Sequence, residues 1–149
     1  MSERKIKKVF TEGSITPTFI SESIAKHSSK KEIGAHSIFL GQVRNDKINM
    51  KGVVAIEYSA YEEMAEDKFQ EIREDAFEKF PLTCMHIYHS LGIVKAGEIS
   101  LFVFTSSVHR KDAIEACSYI VNRIKEEAPV WGKEIFEDES FKWKENNYY

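Results

Sequence analysis

The chain has 149 residues, a length that suits one domain and lets roughly two thirds of the unfolded surface be buried. Hydrophobic residues make up 42%, charged residues 30%, and the net charge is −3. That balance lacks the basic surplus of a general nucleic-acid binder, and no apolar run reaches the roughly 18–20 residues of a membrane span. Residues 1–149 are read as one domain, with residues 1–8 a candidate flexible stretch. Met1 to Lys8 is polar and basic with no apolar stretch behind it, unlike a secretory signal, so the expected location is the cytoplasm.

A short first strand is expected over Lys8 to Thr11. Thr16 then reads as an N-cap and Pro17 as the first helical residue. Phe19, Ile20, Ile24 and Ala25 recur at helical spacing, so this helix runs to about Ser28. Gly34 opens a strand that continues through Arg44, with apolar residues in both alternating sets. Asn45 to Gly52 reads as a polar loop and Val53 to Ala60 as a strand. Glu62 to Lys79 carries the stripe Met64, Ala65, Phe69, Ile72, Ala76 and Phe80, and Pro81 ends that helix.

Leu82 to Ser90 is expected as a strand, Gly92 to Gly97 as a turn region and Glu98 to Thr105 as a strand. The short link favours an antiparallel pair. Ser106 and Ser107 are candidate caps for a helix from about Arg110 to Glu127, whose stripe is Ala113, Cys117, Ile120 and Ile124. The segment from Trp131 to Trp143 is aromatic enough to pack on something. The order is that of an α+β fold with a mixed, mostly antiparallel sheet and about three helices.

Basic clusters stand at the ends of these elements. Arg44 follows a strand. It is either an anion contact or a strand-end charge paired with Asp46 or Glu57. His109 and Arg110 stand at a helix N-terminus, where cations oppose the helix dipole. An anion between them would justify that placement, because unpaired N–H groups and a guanidinium fork both favour phosphate or carboxylate. An ordinary pair of surface residues is the other reading. Lys125 falls at the flank of an apolar stripe. There it either extends to solvent or, partly covered, serves as a base or nucleophile. Cys84 and Cys117 stand apart, outside any CxxC pair, and read as buried free thiols rather than zinc ligands. His86 and His89 are three apart on a strand, which does not align them on one metal. No metal site and no cofactor is expected.

Taken in order, the segments Phe39-x-Gly41-x-Val43-Arg44, Glu57-Tyr58-x-x-Tyr61-x-x-Met64-Ala65, His89-x-x-Gly92, Gly97-Glu98, Ser106-Ser107-x-His109-Arg110 and Lys125-x-x-x-Pro129-x-Trp131-x-Lys133-Glu134 resemble the large catalytic subunit of molybdopterin synthase, the MoaE family. The resemblance covers about Gly34 to Trp143. It implies an α/β-hammerhead-like fold. It also implies a reaction in which a small ubiquitin-like partner, ending in a Gly-Gly thiocarboxylate, gives sulfur to cyclic pyranopterin monophosphate. Two sulfurs enter in succession, the cyclic phosphate opens, and a dithiolene results. The implied assembly is a homodimer of large subunits carrying one small subunit at each end, a heterotetramer.

Carried over by position, the resemblance makes Lys125 the active-site lysine. Arg44, His109 and Arg110 become holders of the pterin phosphate, and Phe39 a pocket wall. Two positions depart from the family pattern. The family's Trp-Lys-Lys/Arg-Glu reads Trp131-Gly132-Lys133-Glu134 here, so a second active-site lysine is replaced by Gly132, with Lys133 the candidate substitute. The family's His-Arg-x-Gly reads His89-Ser90-Leu91-Gly92. A non-catalytic relative that binds the carrier or a pterin, and an unrelated anion-binding module, are the alternatives to a sulfurtransferase.

Overall fold

The structure, a computed structural model, describes residues 8–143. The expectation of a flexible stretch at residues 1–8 therefore falls, Lys8 excepted, outside the described residues. In chain order the elements are β1 (Phe10–Glu12), α1 (Pro17–Lys26), β2 (Ala35–Gln42), β3 (Lys47–Ile48), β4 (Lys51–Ala60), α2 (Glu62–Lys79), β5 (Leu82–Lys95), β6 (Ile99–Ser107), α3 (Arg110–Glu127), β7 (Val130–Phe136) and β8 (Phe141–Trp143). The strands form one 8-stranded sheet in the order β2-β6-β5-β4-β7-β8, with β1 on β5 and β3 on β4. All pairings are antiparallel except β1 with β5. The α+β class with a mostly antiparallel sheet and three helices is what the sequence led us to expect.

Alternation along the strands sorts side chains to two covered faces. On one face Ile15, Phe102 and Phe104 pack with Ile20 of α1 and with Tyr88. On the other, Met85, Ile87, Leu101 and Val103 meet Ala65, Phe69, Ile72 and Ala76 of α2 and Cys117, Ile120, Val121 and Ile124 of α3. Arg123 clips α3 to α2 through Asp75 at 2.7 Å, while also engaging Glu127.

Local chemistry sets the element ends. Thr16 Oγ1 accepts from the Phe19 N–H at 3.1 Å, and Pro17 follows it, so α1 starts where its cap dictates. α2 and α3 keep the expected bounds. Other expectations are corrected. The segment read as a polar loop holds a two-residue hairpin, β3 to β4, because Asn49 and Met50 both adopt positive φ, 51° and 66°. Met64 is exposed and off the α2 stripe. Ser106 and Ser107 are the buried end of β6 rather than helix caps. The Ser107 hydroxyl donates to the Pro81 carbonyl, and His109 occupies the α3 N-cap without a side-chain cap bond. The aromatic segment after Pro129 is the hairpin β7–β8, with β7 paired along β4.

The region read as a turn at Gly92 to Gly97 is mostly strand. β5 runs on to Lys95 and turns only at Ala96 and Gly97. Its first part pairs with β6 and its last with β4. The change of partner falls at Gly92, which has φ +79°, and an added Cβ there would meet Glu12 Oε1 at 2.2 Å. The positive φ favours glycine, while the contact is with the flexible end of the exposed Glu12 side chain, which can move aside. Gly92→Ala is expected to lower the unfolding free energy by about 1–3 kcal/mol, read from the urea midpoint at unchanged slope.

Candidate active site

α3 leaves β6 at Ser107 and returns along the sheet, so its C-terminus lies over the end of the sheet where β2 finishes and β6 begins. Lys125 sits in the last turn, half-buried, and Arg44 follows β2 at the same end. Arg44 is exposed and pairs with Asp46 at 3.2 Å, the ion pair foreseen as one of its readings. Beside it the Val43 N–H donates to the Glu98 carbonyl and the Gly97 N–H donates to the Val43 carbonyl, which fixes the chain under Arg44 to the β5–β6 turn. Phe39 faces α3 from β2 and packs against the main core. With Ile114, Cys117, Ser118 and Val121 it lines a groove between the edge strand and α3.

Sequence reasoning missed the role of His89, which lies in the electrostatic field of Lys125. The ring is 3% exposed and sits edge-on to Tyr58 at 5.2 Å. Its Nδ1 is 2.8 Å from the Ser90 carbonyl oxygen, which can only accept, so Nδ1 carries the proton. Burial pushes the His89 pKa down to about 4, the positive charge of Lys125 pushes the same way, and the Ser90 bond opposes both. The lysine therefore stands over a neutral imidazole rather than a second cation. Tyr58 completes this floor. Its hydroxyl donates to Ser100 Oγ at 3.1 Å, and burial raises its pKa. The visible signal was the odd spacing of His86 and His89, which sends the two to opposite faces.

Gly132 and Lys133 lie on β7 opposite Tyr58 and Glu57 of β4. Paired residues share a face, so Gly132 faces with Tyr58 and Lys133 with Glu57. A Cβ at Gly132 would meet Ile56 Cγ2 at 2.9 Å and Tyr58 Cε1 at 3.4 Å, so this site as packed has no room for a lysine. Lys133 Nζ lies 3.2 Å from Glu57 Oε1 and 4.7 Å above the Phe141 ring. It is thus engaged on the far side of the strand from Gly132.

His109 and Arg110 are exposed at the N-terminus of α3. Gly34 packs so closely there that a Cβ would lie 2.1 Å from the Val108 carbonyl oxygen, which fixes the loop carrying both cations. From Arg110 to Lys125 along the helix is about 22 Å at about 1.5 Å per residue. Within one chain Arg44 and Lys125 thus fall at one end of the sheet, Phe39 lines a groove along the middle of α3, and His109 and Arg110 lie at the other end. Among the described residues no helix is long and apolar enough to cross a membrane.

Comparison with known proteins adds a family to this geometry. A family profile described as MoaE protein matches residues 14–127. A Pyrococcus abyssi protein named molybdopterin synthase catalytic subunit is 38% identical over 128 residues, 86% of this chain and 84% of its own length. A Bos taurus protein of the same name is 40% identical over 113 residues, 76% of this chain. The chain spans only 59% of that relative's length. The crystal structure of molybdopterin synthase from Staphylococcus aureus superimposes with a TM-score of 0.80 at 34% identity, over 92% of this chain and 96% of the other.

The depressed His89 pKa makes stability pH-dependent. The unfolded chain binds the proton near the ordinary value of 6.5 and the folded chain only near 4. The contribution of neutral His89 is thus fully present above about pH 6.5 and is lost as the pH falls toward 4. Denaturant melts are expected to show wild type losing on the order of 3 kcal/mol more than His89→Gln between pH 7 and pH 4. Parallel pH profiles would contradict the buried neutral imidazole.

Proposed function

The chain belongs to the MoaE protein family, and from that premise we propose that it is the catalytic subunit of a molybdopterin synthase, acting as a sulfurtransferase. It passes sulfur from the C-terminal thiocarboxylate of a small ubiquitin-like carrier to cyclic pyranopterin monophosphate, forming the molybdopterin dithiolene. The observation that carries this reading is identity along most of the chain with proteins named as that subunit. The chemistry of the cations supports it. The phosphate of the substrate and the incoming thiocarboxylate are both anions, and cations placed before reaction stabilise charge where it develops.

In this reading Lys125 holds the thiocarboxylate and the intermediate and moves protons at its ammonium. It is half-buried and near a neutral His89, so no cationic imidazole competes with it for an anion. Arg44 reaches the phosphate by exchanging Asp46, an exposed ion pair of small worth. Phe39 forms the wall. His109 and Arg110 offer the guanidinium fork and the helix N-terminus to phosphate.

One chain separates Arg110 from Lys125 by about 22 Å, too far for one small substrate. A homodimer removes the separation. β2 is an edge strand with Ile38 and Leu40 exposed, and α1 beside it exposes Phe19 and Ile24. Pairing two β2 strands about a two-fold axis sets the Ala35 end of one against the Gln42 end of the other. His109 and Arg110 of one copy then approach Arg44 and Lys125 of the other. One carrier per copy gives the heterotetramer. Lys133 was the candidate for the lysine missing at Gly132. Its contacts with Glu57 and Phe141 hold it on the other face of β7, so the chemistry rests on Lys125.

Reconstitution tests this. With thiocarboxylated carrier and cyclic pyranopterin monophosphate, wild type should form the dithiolene product. Lys125→Ala should reduce the rate at least about a hundredfold, and Arg110→Ala should reduce it by a smaller factor. Carrier binding without product from wild type would favour the binding-only alternative. Product formation that survives Lys125→Ala would remove the assigned lysine. Lys133→Ala is expected to keep near-wild-type turnover. A fall in its rate at unchanged melting temperature would restore Lys133 to the site.

A further inference from the structure

On the α1 face of the sheet, away from Lys125, three metal-ligating side chains converge. His27 is the C-cap of α1. Cys84 and His86 hold alternate positions of β5, so the strand period puts both on one face. One ligand atom from each of the three lies within 4.8 Å of the other two. His27 and Cys84 are buried, and His86 is half-buried.

The finer geometry favours ligation. His27 Nδ1 lies 2.7 Å from the Ser23 carbonyl oxygen. A carbonyl only accepts, so Nδ1 carries the proton and Nε2 of the neutral ring presents its lone pair. A hydrogen bond from the distal ring nitrogen to a carbonyl is the usual outer partner of a metal-bound imidazole. That lone pair faces His86 Nε2 at 3.0 Å. Two imidazole nitrogens on a tetrahedral zinc, each at about 2.0–2.1 Å, stand about 3.4 Å apart. The ring of His27 is also held in orientation, tilted on Phe104 at 4.7 Å.

We propose that His27 Nε2, His86 Nε2 and the Cys84 thiolate form a zinc site, with water in the fourth position. Nitrogen and sulfur donors without a carboxylate suit zinc and exclude calcium and magnesium. Binding breaks the Cys84 S–H bond and releases its proton to solvent. Lys30 Nζ now lies 2.8 Å from Cys84 Sγ. Lys30 is exposed, so its ammonium moves into water when the metal takes its place. The site ties α1 to the sheet. α1 buries none of its own residues, so a metal link is a large addition to what holds it. Because the ligands lie on the sheet face opposite Lys125, zinc here supports the fold and takes no part in the sulfur chemistry.

The full chain, stripped with chelator and kept reduced, is titrated with zinc chloride against a chromophoric chelator. One zinc per chain is expected. Cys84→Ser and His86→Gln should each weaken binding by more than the roughly 10–100-fold that loss of an outer partner costs, while His109→Ala leaves it unchanged. Excess zinc should raise the melting temperature of wild type and leave that of Cys84→Ser unmoved. Cobalt(II) replaces zinc as a probe that needs no variant: wild type should give a thiolate-to-cobalt charge-transfer band. Absence of that band, absence of stoichiometric zinc, or zinc binding that survives both substitutions would overturn the proposal.

Discussion

Strand β5 is the constraint on which the other parts depend. It pairs with β6 along its first half, with β4 at its end and with β1 between them. Because side chains alternate along a strand, β5 also decides what each face of the sheet can do. Met85, Ile87 and His89 go to the side of α2 and α3, where they make the core and the floor beneath Lys125. Cys84, His86 and Tyr88 go to the side of α1. A shift of one residue in the pairing of β5 would exchange these sets and place His89 outside the reach of α3. Gly92 is where the strand changes partner, and its positive φ admits no other residue without strain.

The electrostatics follow from that placement. In the proposed reading Lys125 meets an anion, and the groups around it bear on that role. Burial keeps His89 neutral near it, and Arg123, two residues earlier on α3, is turned toward Asp75 and Glu127. At the other end of α3, His109 and Arg110 sit against the helix dipole without a capping bond from the His109 side chain. Such an arrangement costs a fraction of a kcal/mol up to about 1 kcal/mol without an anion and reverses sign with one. In the proposed reading the two ends of one helix carry two halves of an anion site. The edge strand beside them supplies a symmetric way to bring the halves together.

Much of this was legible in the sequence. The Thr16-Pro17 cap, the α2 and α3 stripes and Pro81 as a stop act through local chemistry, so their elements appear where expected. The ordered segments around Arg44, His109-Arg110 and Lys125 pointed to the family before any fold was known. What stayed hidden depends on pairing across the chain. Met50 has no turn-forming chemistry of its own and adopts positive φ because the β3–β4 hairpin requires it. Gly92 reads as a turn but serves as a bend inside a long strand. Ser106 and Ser107 resemble helix caps, yet β6 extends through them because β2 and β5 both pair there. The neutral His89 under Lys125 and the meeting of His27 with Cys84 and His86 join residues distant in sequence.

The central claim is that an anion site is completed between two copies of this chain, and complementation tests it most directly. A Lys125→Ala chain and a His109→Ala/Arg110→Ala chain, each inactive alone, are unfolded together, refolded as a mixture and assayed for dithiolene formation. A shared site predicts that random pairing restores roughly a quarter of wild-type activity, because half the dimers are mixed and each mixed dimer holds one intact site of two. A mixture as inactive as its parts, with mixed dimers confirmed by mass, would contradict the claim and place both cation clusters in separate tasks on one chain.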